Sequence, residues 1–249
     1  MFTKVADSLR AEIITVREQE CLAIITSVRQ LLLSDVAELD MLRLMSVPIL
    51  YSVWERAFSG WTAICLRVVQ ENYPRAIDCP AKTRAYWLRK ADFFKSFVNS
   101  VRDVMELERE DSVFQQASGF KKKITKGGFN LSSQVLSQLD EWHERPLNAK
   151  VDMTNLVVTY SNVNDVVVTT NAEAIGLTEL PSFAALDLSR LGELVGIRNG
   201  IGHGAILAAP GKRQLDELIA YTESLIIQYS EVVLEWIAIH EEPEKEKVA

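Results

Sequence analysis

The stretch KRQLDELIAYTESLIIQYSEVVLEWIAIH, residues 212–240, carries Leu215, Leu218, Ile219, Leu225, Ile226, Tyr229, Val233 and Trp236 as one broad apolar stripe. Spacings of three and four over many turns are those of an α-helix that buries one face. The rest of the chain repeats the pattern. Val5, Leu9, Ile13 and Val16 recur at helical spacings, and no Gly or Pro interrupts residues 5–33. A second helical block is expected from Glu38 to Glu71, kinked or restarted at Pro48, because proline lacks an amide proton and crowds the preceding turn. After Pro48 it is apolar on nearly every side except at Glu55, Arg56 and Arg67, as in the middle of a bundle or at a subunit interface.

NYPRAIDCP ends that block with two prolines. A third helix is expected from Thr83 to about Leu107, a short one in NLSSQVLSQLDEW, and another in DLSRLGELVGIRN. TNLVVTYSNVNDVVVTTNAEAIGL is ambiguous, since its Val and Thr content favours a strand. Residues 108–126 are the least regular and include GFKKKITKGG, where Lys121, Lys122, Lys123 and Lys126 form the densest basic cluster. The cluster reads as a solvated loop or as a phosphate-steering, RNA-binding loop beside an active site. With no internal repeat and no clear linker, the expectation is one all-α domain over residues 1–240 with a small irregular insertion. A charged, frayed tail would follow over 241–249.

Composition narrows the function. A chain of 249 residues, 48% hydrophobic, can bury a core without staples. A formal net charge of −7 argues against a dedicated high-affinity DNA binder but leaves room for a local patch that grips RNA. Cys21, Cys65 and Cys79 are odd in number and form no CxxC pair, which points to reduced thiols rather than a disulfide framework or zinc site. The first residues are charged throughout and lack an apolar signal core, and no apolar run approaches the ~18 residues that span a bilayer. A cytoplasmic protein without a membrane partner is expected. There is no P-loop, GxSxG, HExxH or dinucleotide fingerprint.

One segment carries chemistry. RNGIGHG, residues 198–204, puts Arg198, Asn199 and His203 among three glycines. On an ideal helix Asn199 and His203, four apart, share a face, while Arg198 is turned by ~140° from His203. The glycines suggest that the helix loosens or ends here and that something approaches the backbone closely. An imidazole can take and return a proton near neutral pH, and a guanidinium can hold a phosphate by two parallel hydrogen bonds. Together they suffice for RNA cleavage without a metal or cofactor. His203 would activate the ribose 2′-hydroxyl, Arg198 would stabilise the phosphorane-like state, and Asn199 would orient the histidine or the phosphate. One histidine serves poorly as base and acid at once, so a second copy in a dimer would help. The competing reading is a helix terminus in which the histidine only caps or packs. His143 and His240 have no partners at a useful spacing.

LVGIRNGIGHG resembles the R-x4–6-H signature of the HEPN superfamily, in which a polar residue commonly follows the arginine, as Asn199 does. ILYSVWERAF (49–58) is similar to the LLYxxWExF helix of a prokaryotic subgroup, the MAE-type HEPN nucleases. SNVNDVV (161–167) resembles that subgroup's sNLNsxV segment, and VREQECLAI its N-terminal eRxxEl helix, in the same order along the chain. The resemblance implies a HEPN-like bundle of long antiparallel helices that dimerises with two R-x4-H motifs facing each other. It implies a metal-independent endoribonuclease, often a toxin or phage-defence effector controlled by an antitoxin or other regulatory protein. Arg198, Asn199 and His203 take the family's catalytic positions. It also implies that NDVVVTTN is helical, against its propensity. Glu55 would be either a surface or capped glutamate or a partner that positions Arg198 or His203. Two departures stand out. Ala205 occupies the place where one branch has a modified tyrosine, and Gly202 stands where larger residues are common. Some HEPN domains have lost activity and bind RNA, nucleotide or a partner protein instead, which is the alternative expectation.

Overall fold

The computed structural model describes residues 2–33, 39–90, 157, 159, 162–205 and 208–241. The fold is all-α, with no strand among the described residues. The chain divides into two compact units, Met1–Val69 with Thr154–Ala249, and Gln70–Met153. The basic cluster Lys121, Lys122, Lys123 and Lys126, the helix expected in NLSSQVLSQLDEW, His143 and the tail 242–249 lie outside the described residues.

In the first unit the N-terminal helix is continuous but not uniform. α1 (Phe2–Thr15) passes through a π-helical stretch, Val16–Leu22, into α2 (Ala23–Leu33). The spacing explains the change of winding. Leu9, Ile13, Cys21 and Ile25 are buried, and with Arg17 they form a run at steps of four. Each such step overshoots a turn of 3.6 residues by about 0.4 residue, so an unbroken α-helix would rotate the stripe out of the core. A stretch wound i→i+5 absorbs the excess. It also brings Arg17 Nη1 to Ser230 Oγ at 3.1 Å and pairs Glu20 with Arg56.

α3 (Leu39–Asn72) carries Pro48 in its interior, so of the kink or restart expected there, the restart does not occur. Its middle is buried on most sides, including Tyr51, Trp54, Phe58 and Trp61. α8 (Lys212–Glu241) buries the stripe read from the sequence, every one of its eight residues included. The two helices meet at Tyr229. Its ring lies 5.6 Å from those of Trp54 and Phe58 and 6.1 Å from that of Trp61. Its hydroxyl sits 2.8 Å from Thr62 Oγ1. Aromatic groups of this size dominate core energetics, and truncating one to alanine costs about 3–5 kcal/mol.

α5 (Asp165–Ile175) makes the second half of the ambiguous segment helical despite its Val and Thr content, while residues 154–156, 158, 160 and 161 lie outside the described residues. Both ends and one face outweigh propensity. Asn164 caps the start, its side chain accepting from the Val167 N–H at 2.9 Å. Gly176 ends the helix at φ 82, and Trp236 Nε1 donates to the Ile175 carbonyl at 3.0 Å. Val167, Val168, Ala172 and Ile175 face the core. A short turn, α6 (Pro181–Ala184), leads to α7 (Leu191–Gly202), which carries the RNGIGHG segment. In the second unit, α4 (Ala81–Lys90) follows a single 3-10 turn, Ala76–Asp78, closed by the Arg75–Asp78 ion pair. The expected continuation of α4 towards Leu107 lies outside the described residues.

No helix of the described residues is long and apolar enough to cross a membrane. Cys21, Cys65 and Cys79 are free and buried.

Candidate active site

α7 buries Leu191, Leu194 and Val195 and turns Gly192 and Gly196 outward. By the ~100° step of an α-helix, Arg198 follows the buried side, whereas Asn199 and His203 follow the exposed glycines. The segment therefore splits across two faces.

Arg198 is half-buried and held from three directions. Its Nη1 donates to Asn199 Oδ1 at 2.8 Å and to Asn162 Oδ1 at 3.4 Å. Its guanidinium carbon lies 4.8 Å from the centroid of the Tyr51 ring, within cation–π range. Such a contact is worth about 0.5–1 kcal/mol when exposed and ~2 when desolvated. None of these partners is an anion. Arg10, Arg17, Arg29, Arg43, Arg56, Arg67, Arg75, Arg190 and Arg213 each stand within ion-pair distance of a carboxylate. Arg198 has no carboxylate partner among the described residues. Its partners among the described residues hold its charge in place through neutral groups.

Beneath it, the Tyr51 side chain is fully buried. Its hydroxyl accepts the Val163 N–H at 2.8 Å and donates to Glu55 Oε1 at 3.4 Å. Burial pushes the phenol above its usual value, with Glu55's charge acting the same way. The Val163 hydrogen bond and Arg198's charge oppose them. The phenol thus stays protonated at neutral pH and keeps a proton to donate. Glu55 hydrogen-bonds to neither Arg198 nor His203. It reaches the arginine only through Tyr51, by a contact at the long end of O–H···O geometry.

His203 is the C-cap of α7 and is exposed. Its N–H donates to the Asn199 carbonyl at 2.9 Å. Gly204 N–H donates to Ile201 O at 3.0 Å and Ala205 N–H to Gly200 O at 2.8 Å, the paired bonds of a Schellman terminus. Gly204, at φ 69, supplies the left-handed residue this turn requires. The backbone fixes where His203 sits, while its imidazole makes no hydrogen bond or ion pair among the described residues. Asn199 joins the two halves unequally, its side chain turned to Arg198 and only its carbonyl to His203.

Of the glycines expected to meet a close backbone approach, Gly202 and Gly204 show none among the described residues. A Cβ built on Gly192, Gly196 or Gly202 meets nothing within 4 Å. His240 is accounted for locally, its Nδ1 2.8 Å from the Trp236 carbonyl and its ring stacked on Trp236. No group of three or more His, Cys, Asp or Glu that could hold a metal ion occurs among the described residues.

Sequence reasoning singled out Arg198, Asn199, His203 and Glu55 but gave no role to Tyr51 or Asn162. Tyr51 lies in ILYSVWERAF and Asn162 in SNVNDVV. The available signal was chemical: a tyrosine on an all-apolar helix face needs a partner for its hydroxyl. Comparison with known protein families, with curated proteins and with solved structures finds no match for this chain.

Proposed function

We propose that this protein is a metal-independent endoribonuclease of the HEPN type. It would work as a cytoplasmic homodimer, as a toxin or phage-defence effector restrained by an antitoxin or other regulatory protein. The observation that carries the reading is Arg198, a half-buried cation held by two amide oxygens and an aromatic face, with no carboxylate partner among the described residues. A guanidinium kept in place without an internal anion is arranged for an external one, and phosphate matches its fork of donors.

In the proposed reaction His203 takes the proton of a ribose 2′-hydroxyl, and the 2′-oxygen attacks the adjacent phosphorus. Arg198 stabilises the charge that builds on the non-bridging oxygens. The bond from phosphorus to the 5′-oxygen breaks, and that oxygen takes a proton. A second copy's His203 is suited to give it, since the 2′-oxygen enters and the 5′-oxygen leaves on opposite sides of phosphorus, out of reach of one imidazole. The products are a 2′,3′-cyclic phosphate and a 5′-hydroxyl.

The outer face of α7 supports pairing of two copies. Gly192, Gly196 and Gly200 recur at steps of four on the face that carries Asn199 and His203. Each glycine costs a helix about 1 kcal/mol relative to alanine. At Gly192 and Gly196 the protein leaves open space for the missing methyl group. A face stripped to backbone lets another helix come close and would bring two His203 side chains to one cleft.

A second reading is favoured by the unheld imidazole of His203: a HEPN-like module that binds RNA, nucleotide or a partner protein without cutting. Wild type, Arg198→Ala and His203→Ala, incubated with tRNA and total RNA in EDTA, separate the two. Cleavage with cyclic-phosphate ends by wild type, reduced about 10²–10³-fold in Arg198→Ala, is the expected result. RNA bound but never cut would replace the enzyme with the binding module.

A further inference from the structure

The contacts around Arg198 converge on Tyr51, whose side chain is fully buried. We propose that Tyr51 is the positioning residue of the site, its ring carrying the Arg198 guanidinium and its hydroxyl anchoring the segment that brings Asn162 to the same arginine. The proposal rests on the reading of Arg198 as the phosphate-binding group.

Three separate pieces of chain meet here. Arg198 comes from α7, Tyr51 from the interior of α3, and Asn162 from the segment ahead of α5. At 3.4 Å the Asn162–Arg198 hydrogen bond is too long to hold that segment by itself. The next residue is clamped instead. The Val163 N–H donates to Tyr51 Oη at 2.8 Å, and the Val163 carbonyl accepts Trp54 Nε1 at 3.2 Å. Tyr51 and Trp54 are three apart on one helix face, so both hydrogen-bonding groups of a fully buried residue are met by adjacent α3 side chains. Glu55, four residues after Tyr51, accepts a hydrogen bond from the phenolic O–H, which leaves the hydroxyl oxygen free to accept from Val163. Ring and hydroxyl thus do different work: the ring supports the guanidinium directly, and the hydroxyl sets where Asn162 stands.

A role confined to packing would not distinguish these parts, and substitution can. Tyr51→Phe keeps the ring and removes the hydroxyl; Tyr51→Leu removes both. The Nε–Hε resonance of Arg198, assigned by its loss in Arg198→Ala, reports the guanidinium without any substrate. In wild type it is expected to be sharp and shifted by the ring current, to persist in Tyr51→Phe, and to move to the position of a free arginine in Tyr51→Leu. Binding of a 2′-O-methyl oligonucleotide, which cannot be cleaved, supplies the second measurement. Tyr51→Leu is expected to weaken it about tenfold in the wild-type background and not at all in Arg198→Ala, because a residue acting through Arg198 has nothing left to act on. Asn162→Ala, which leaves the core intact, should give a smaller loss with the same dependence on Arg198 and stands in if Tyr51→Leu does not fold. Equal losses in both backgrounds, or an Arg198 resonance indifferent to Tyr51, would overturn the proposal. Should the resonance respond while Arg198→Ala leaves binding and cleavage untouched, Tyr51 positions Arg198 as proposed and it is the ribonuclease reading that fails.

Discussion

Arg198 and His203 are five residues apart on one helix, and the protein treats them in opposite ways. Arg198 is held by Asn199, Asn162 and the Tyr51 ring, behind which stands the aromatic core around Trp54 and Tyr229. His203 is fixed through its backbone alone, at a helix terminus facing solvent. Half of the motif is assembled by the chain itself. The other half is placed only by its backbone; in the proposed ribonuclease it would be completed by a substrate or by a second copy laid along the glycine face.

The largest effect is expected on the held side. Trp54→Ala empties the contact with Phe58 and Tyr229 and removes the donor to the Val163 carbonyl. It should cost about 3–5 kcal/mol in urea unfolding, and activity should fall with it. A loss under 1 kcal/mol would mean that the core does not support the arginine as described. On the open side, Gly204→Ala forces a side chain into the left-handed region and should cost about 1–2 kcal/mol. His203 would then lose its placement while Arg198 kept its own. Gly196→Ala carries the opposite sign. Its added methyl meets open space, so a single copy should gain up to ~1 kcal/mol, and sedimentation should show weaker self-association. Unchanged association would remove α7's outer face as the contact between copies.

The buried thiols predict a direction with pH. Burial, then the neighbouring charge of Glu20, pushes the Cys21 thiol up to about 11 against Arg56's opposing effect. Cys65 and Cys79 are raised by burial as well. In the unfolded chain these thiols ionise near 9.0. Their contribution is therefore complete below pH 9 and lost as pH climbs towards 11, because the unfolded state releases protons first. Denaturation midpoints measured from pH 8 to 11 should fall in that order.

Much of the fold was legible because it rests on period alone. The stripe from Leu215 to Trp236 names its own partner face, and the helix expected before Ser34 is there. The π-helical turn was also written in the sequence, as a run of fours too long for a 3.6-residue period, but it becomes visible only once the run is known to stay buried. α5 was read as a strand by propensity and as a helix by resemblance. Asn164, Gly176 and the burial of one face decided for helix, through contacts that propensity ignores. The site was legible as far as local spacing reaches. R-x4-H names Arg198 and His203, and Asn199 follows. Tyr51 and Asn162 join them only through tertiary contact, since Asn162 lies 36 residues before Arg198 and Tyr51 comes from another helix. The same limit applies to Glu55, whose link to Arg198 runs through a ring that no spacing rule would have supplied.

The most direct test sets stability beside chemistry in one substitution, His203→Ala. Thermal unfolding and cleavage of tRNA in EDTA would be measured on the same preparation as wild type. With the imidazole exposed and making no hydrogen bond or ion pair among the described residues, stability should stay within about 0.5 kcal/mol of wild type, while cleavage and cyclic-phosphate ends disappear. A folded variant that still cuts as wild type does, or a wild type that cuts nothing while His203→Ala melts markedly earlier, would contradict the assignment and return His203 to the role of a helix terminus.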